Sequence, residues 1–157
     1  MHVALAASLL VLIQLSCSGA GPPGGGPRAA VSAGPRVLLD GPVTCLGRPR
    51  AEHVFREAAA FATWWNATTC GRRKVPAVDF AKEMVLAVED ADASNGCHDV
   101  RVLRAEAGAE GLSVFVERRV PGPTELCTQQ VVRPVSAVAV PRSEGEVVFI
   151  WQVVTGP

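Results

Sequence analysis

Val78-Asp-Phe-Ala-Lys-Glu-Met-Val-Leu-Ala-Val88 is the stretch on which the reading of this chain turns. Met84, Leu86 and Val88 alternate with Val85 and Ala87, and both sets are apolar. Alternation with two apolar sets predicts a strand buried on both faces, hence a central one. Glu89-Asp90-Ala91-Asp92 closes it. Downstream, strand-like segments follow without a long break. His98 to Glu106 is one. Leu112, Val114 and Val116 alternate with Ser113, Phe115 and Glu117 in the next, a half-buried pattern. Cys127–Val132 and Val135–Val140 read as two more, divided by Arg133-Pro134, where a proline that cannot donate to a ladder predicts a bend or an edge. Ser143-Glu144-Gly145-Glu146 reads as a hairpin turn into a last strand, Val147–Val153.

Upstream, Arg36–Asp40 is a short first strand ended by Gly41-Pro42. Glu52 to Trp65 predicts the main helix, because Phe55, Ala58, Ala59, Ala62 and Trp65 fall at helical spacing. Phe61 and Trp65 pair one turn apart, so Trp64 and Trp65 are expected to fill the core rather than form a ligand platform. Short links between consecutive strands favour antiparallel pairing. The expected fold class is α+β: one main helix on a mainly antiparallel sheet of about five or six strands. Closure into a barrel or folding into a sandwich both stay open.

The chain has 157 residues, with 15 basic and 15 acidic side chains. A zero balance without a basic stripe argues against nucleic acid as a partner. Arginines outnumber lysines 13 to 2 and Tyr is absent, which reads as a GC-rich, bacterial coding bias and lowers the functional weight of any one Arg. Val3 to Ile13 is an apolar run of 11 residues, too short to span a bilayer but suited to a signal peptide. Residues 1–16 are therefore expected to be a signal peptide. Ser16-Cys17 offers a lipoprotein-type cleavage and acylation site, with ordinary cleavage after Ala20 as the alternative. Residues 17–35 form a tether: Ser18–Pro35 holds six Gly and four Pro, too little apolar surface to offset ordering entropy. Residues 36–157 remain for one globular domain. Beyond Cys17, four cysteines (Cys45, Cys70, Cys97 and Cys127) stand in an exported domain, which favours two disulfides in one of three connectivities.

Chemistry is hard to assemble from this chain. A nucleophile-elbow Gly-x-Ser-x-Gly, a phosphate-cradling glycine loop and paired metal-ligand spacing are all missing. Cys97 and His98 are neighbours, but adjacent strand residues point to opposite faces, and an oxidised Cys97 is no nucleophile. Asp90, Asp92, Ser94, Asn95 and Gly96 copy part of a calcium loop whose closing Glu is missing. The chain is thus expected to be no enzyme and to hold no cofactor or metal.

Several of these strings together resemble the PrcB C-terminal domain family of exported bacterial proteins: Val78–Val88, Asn95-Gly96-Cys97, Gly111-Leu112-Ser113-Val114-Phe115-Val116, Pro121-Gly122, Gln129–Pro134 and Val138-Ala-Val-Pro141. The resemblance spans roughly residues 54 to 152. Family members often carry a Gly-Gly-aromatic loop where this chain has Gly96-Cys97-His98. Cysteines placed together on that loop and on the strand before Pro134 imply a Cys97–Cys127 bridge, which leaves Cys45–Cys70 as the other. The resemblance implies a non-enzymatic accessory domain that binds another envelope protein, with a protease complex as one such partner. It implies an outer-membrane or periplasmic lipoprotein, or a secreted protein, touching the membrane only through a lipid on Cys17. The alternative is a chagasin-like protease inhibitor that presents loops to a protease cleft. On either reading the candidate binding loops are Ser94, Asn95, Gly96 and His98, and Arg133 with Pro134.

Overall fold

The computed structural model describes residues 34–109 and 111–157; the apolar N-terminal run, Cys17 and nearly all of the tether lie outside them. The strands are β1 (Arg36–Val43), β2 (Ala51–Phe55), β3 (Glu83–Glu89), β4 (Asp99–Ala107), β5 (Gly111–Val120), β6 (Arg133–Pro141) and β7 (Glu146–Thr155), with one helix, α1 (Ala58–Thr68), between β2 and β3. They form a four-stranded sheet in the order β1-β6-β3-β2 and a three-stranded sheet in the order β4-β5-β7. The architecture is mainly β, in two sheets without a closed barrel, and the helix is a short third layer of 11 residues rather than a main element.

β3 is buried on both faces because it serves two cores. Met84, Leu86 and Val88 meet Val100 and Val102 of β4, Leu112, Val114 and Val116 of β5, and Val138 and Val140 of β6, in the layer between the sheets. Val85 and Ala87 point the other way, to Leu39, Val135, Ala137 and the aromatic face of α1. That face is Phe61, Trp64, Trp65 and Thr68, at spacings of three, four and seven residues, the stripe one side of a helix presents. Complete burial of one such Val or Leu side chain is worth about 1.5–3 kcal/mol, so losing either layer would unfold the domain.

Four expectations from the sequence are corrected. Residues 52–55 are not helix. Ala51–Phe55 pairs with β3 at every position from Ala51–Glu89 to Phe55–Val85, and tertiary pairing overrides a helical spacing that Phe55 happened to match. The strand expected from Val78 starts at Glu83. Before it, Asp79 accepts from the Lys82 amide at 2.8 Å and its side chain accepts from the Ala81 amide at 3.2 Å, forming a turn. Cys127–Val131 is not strand, and Arg133-Pro134 does not divide two segments but begins β6. Pro134 is tolerated in this central strand because it lies opposite Pro42 of β1, while its carbonyl still accepts from the Asp90 amide. Finally, Ser143–Glu146 does not turn a hairpin within one sheet. β6 already has β1 and β3 on its two edges, so β7 crosses to the other sheet and runs parallel to β5 from Gly111–Glu146 to Val120–Thr155.

The start of that parallel pair has room only for glycine. A Cβ on Gly111 would strike the Glu146 backbone, whose carbonyl carbon and nitrogen stand at 3.0 and 3.1 Å. Gly111→Ala is therefore expected to cost about 1–3 kcal/mol, the usual range for overpacking. Gly108→Ala, whose Cβ would meet its nearest atom at an ordinary 3.8 Å, is the control. Urea titration of the two variants checks this, and equal midpoints would contradict it.

Candidate functional site

The last residue of β3 and the one after it are both carboxylates, and consecutive strand residues point to opposite faces. Glu89 and Asp90 are both buried, at 0% and 2% exposure. Burying a charge is tolerated only when it is paired, so each sheet face needs its own cations. Arginines that looked like coding bias supply them.

On the inner face, Asp90 accepts from Arg50 Nε at 3.0 Å and Nη2 at 2.8 Å, from Arg118 Nε, and from the Ala91 amide. Arg118 comes from β5, so this contact ties the two sheets together. Arg50 also lies over the ring of Trp151 at 5.1 Å, and Trp151 Nε1 donates to Glu52 at 2.5 Å.

On the helix face, Glu89 receives Trp64 Nε1 and Thr68 Oγ1 on one oxygen, with His53 Nε2 at 3.2 Å and Arg48 Nη2 at 3.7 Å beside it. Its other oxygen faces Arg133 Nη2 at 3.2 Å, off the hydrogen-bonding direction. Arg133 is fully buried, and its Nε and Nη1 have no partner among the described residues. Among the described residues, Glu89 is thus the one ion-pair partner of this guanidinium.

Burial pushes the Glu89 carboxyl up, but the contacts with His53 and Trp64 and the charges of Arg133 and Arg48 outweigh it and hold it below the ordinary 4.5. Asp90 follows the same logic: burial raises it, and Arg118, Arg50 and the Ala91 amide bring it below 3.8. A folded pKa below the unfolded one adds stability that is full above the unfolded value and lost as pH falls through the folded one. Asp40, raised chiefly by burial, has the opposite sign. Glu89 and Asp90 are the more deeply buried, so the urea midpoint is expected to fall between about pH 5 and pH 3. A midpoint that holds or rises over this window would show that the two carboxylates are not held by their cations.

Above the Glu89 cluster lies an open groove of about 560 Å³. Its floor is His53, Phe55 and Trp64, its wall is the small-residue side of α1 (Ala59, Ala60, Thr63 and Ala67), and Arg48 stands at one end. The groove follows β2, whose other edge no strand among the described residues occupies. The end near Arg48 is stapled. The Cys45–Cys70 disulfide, with Cα atoms 5.8 Å apart, ties the loop after β1 to the chain just beyond α1, and Cys45 Sγ touches the Ala67 carbonyl oxygen at 3.1 Å.

The expected site residues fall elsewhere. Cys97 and Cys127 form the second disulfide, with Cα atoms 5.5 Å apart. It closes a short ladder between two segments in which Ala93 and Val132 exchange amide bonds and the Gly96 amide donates to the Thr128 carbonyl. Ser94 is exposed; Asn95 and Gly96 are half-buried, the Asn95 side chain accepting from the Cys97 amide. His98 is half-buried, and its Nδ1 is out of reach of water. Arg133 and Pro134 are not a loop at all: both are buried in β6, so one of the two loops required by the inhibitor reading does not exist. Asp90 and Asp92 do not converge as calcium ligands; Asp90 turns to arginines and Asp92 accepts from the Gly47 amide at 2.8 Å. Cys97, Glu125 and Cys127 come within 4.8 Å of one another, but the sulfurs are bonded to each other and Glu125 is held by Arg119. Sequence reasoning missed the Glu89 cluster and the groove. The available signal was a pair of acids ending an apolar strand, in a chain with arginines to spare.

The two disulfides point to an oxidising, exported environment, and no described helix is long and apolar enough to cross a membrane. Comparison with family models, with curated proteins and with solved structures returned no match.

Proposed function

We propose that this chain is an exported, non-enzymatic accessory domain of the bacterial cell envelope that binds another protein through the groove between α1 and β2. It is held at the membrane by a lipid if Cys17 is acylated, and free in the periplasm or medium if not. The observation that carries the reading is the groove itself: an apolar concavity with a single cationic end, lying along a strand edge that is free among the described residues. Concave apolar surfaces with a few placed polar groups are the usual form of binding sites, and a free strand edge is a ready template for a partner's backbone. The signal-like N-terminus, the tether and the two disulfides support the compartment. The strings resembling the PrcB family favour a subunit of a protease complex as the partner.

Site-directed photocrosslinking tests this reading. A photoreactive residue at Thr63, in the groove, is expected to give a discrete protein adduct in envelope fractions. The same residue at Ile150, exposed on the other sheet, is expected to give none. Equal labelling from both sites, or none from Thr63, would refute it.

A further inference from the structure

The groove also carries information about what enters it, if the binding reading above holds. We infer that its occupant is the free C-terminal segment of a partner protein, laid antiparallel along the free edge of β2 with its terminal carboxylate on Arg48.

Three observations carry this. First, the shape fits an extended chain. Ala59 to Ala67 covers about 12 Å of helix at 1.5 Å per residue, the length of about four extended residues. The helix wall presents Ala59, Ala60, Thr63 and Ala67, side chains small enough for a strand to lie close beside β2. Added strands gain affinity from main-chain hydrogen bonds and specificity from alternate side chains.

Second, Arg48 is held loosely and is still accessible. Its side chain is 35% exposed. Its two contacts among the described residues are both long: Nη1 to Thr68 Oγ1 at 3.4 Å and Nη2 to Glu89 at 3.7 Å. A guanidinium has five N–H donors in a planar fork, so most of this one is unused. When Arg48 turns to a ligand, Glu89 keeps Trp64, Thr68, His53 and Arg133 around its two oxygens. A carboxylate can take the fork with two parallel bonds. Opposing this are the C-terminal end of α1, worth about half a negative charge, and the exposed Asp92 nearby. Both act at short range, so the two parallel bonds of a bidentate contact have to outweigh them.

Third, the Cys45–Cys70 staple stands beside the cationic end of the groove, with Cys45 Sγ against the Ala67 carbonyl. A chain that ends at Arg48 does not have to pass the staple, whereas one that continues beyond Arg48 does. Because Arg48 precedes β2, a chain that ends there runs opposite to β2.

The test uses the whole domain and two displayed libraries of random heptapeptides, one with free C-termini and one fused at both ends. The free-ended library is expected to yield ligands that Thr63→Trp, which fills the groove, displaces. Amidating their C-terminus should weaken them about tenfold or more, the loss expected for a charge-assisted pair. Arg48→Gln should weaken the free acid by a similar factor and leave the amide unchanged, whereas Arg101→Gln on the remote sheet should change neither. Groove-dependent ligands that bind equally well as amides, or that come only from the doubly fused library, would overturn the carboxylate inference while leaving peptide binding in place. Ligands indifferent to Thr63→Trp, or none from either library, would overturn both. Amidation changes the ligand alone, so the result stands even if Arg48→Gln folds poorly.

Discussion

Replacing Cys45, Cys70, Cys97 and Cys127 together by Ser is expected to lower the stability of the domain by about 7 kcal/mol and to leave it largely unfolded at 37 °C. The two bridges close loops of 25 and 30 residues. Chain-entropy reasoning values loops of this length at roughly 3–4 kcal/mol each. The loops follow one another in sequence and do not overlap, so the two contributions add. Small domains rarely have more than about 5–15 kcal/mol in total. Removing one pair should leave a folded but weakened protein. The two single-pair variants are expected to differ in one respect: loss of Cys45–Cys70 also frees the loop that positions Arg48, whereas loss of Cys97–Cys127 leaves the groove intact. Near-UV circular dichroism and urea titration, with and without reductant, measure this. A fully reduced domain with unchanged urea midpoint would show that the sheets hold without the bridges.

Glu89→Gln is expected to cost about 3–5 kcal/mol, the range for breaking a buried ion pair from one side. The volume hardly changes and the Trp64 contact can persist. What is lost is the one carboxylate that pairs with Arg133 among the described residues, and the Arg133 side chain has no access to water. The double variant Glu89→Gln/Arg133→Met should recover most of the loss, because replacing both charges by a less polar pair is often neutral or stabilising. Arg133→Met alone should be milder than Glu89→Gln, since Glu89 keeps Trp64, Thr68, His53 and Arg48. Asp90→Asn should cost less than Glu89→Gln, because Arg50 and Arg118 are 48% and 29% exposed and can turn to solvent. Chemical denaturation of the four variants gives the ranking. A double variant as unstable as Glu89→Gln would mean that the cost lies in packing rather than in an orphaned charge.

The buried acids show why part of this protein was legible beforehand and part was not. Met84–Val88 announced a strand with two apolar faces, and Leu112, Val114 and Val116 announced one with a single buried face. Each depends only on side chains a few residues apart. The Phe61/Trp65 pair was legible for the same reason. β2 was not, because five residues with one His, one Glu and one Phe carry no decisive period; only the pairing with β3 makes them a strand. The fate of β7 was equally hidden, since its own alternation does not reveal that both edges of β6 are already taken.

Charge matching was the least legible of all. Asp90 finds Arg50 across 40 residues and Arg118 across 28, and Trp64 reaches Glu89 across 25. A sequence displays thirteen arginines of equal standing. Only the folded sheets distinguish those that neutralise a buried carboxylate from those that face water. The sequence by itself determined the periodic strands, the aromatic stripe of the helix, the even set of cysteines and the export-like N-terminus, since each is a property of neighbouring side chains or of composition. The tertiary structure decided the two-sheet arrangement, the parallel β5–β7 pair, the burial of Glu89, Asp90 and Arg133, and the groove beside β2. Those depend on which distant edges and charges meet, and that is set by the free energy of the whole packed domain.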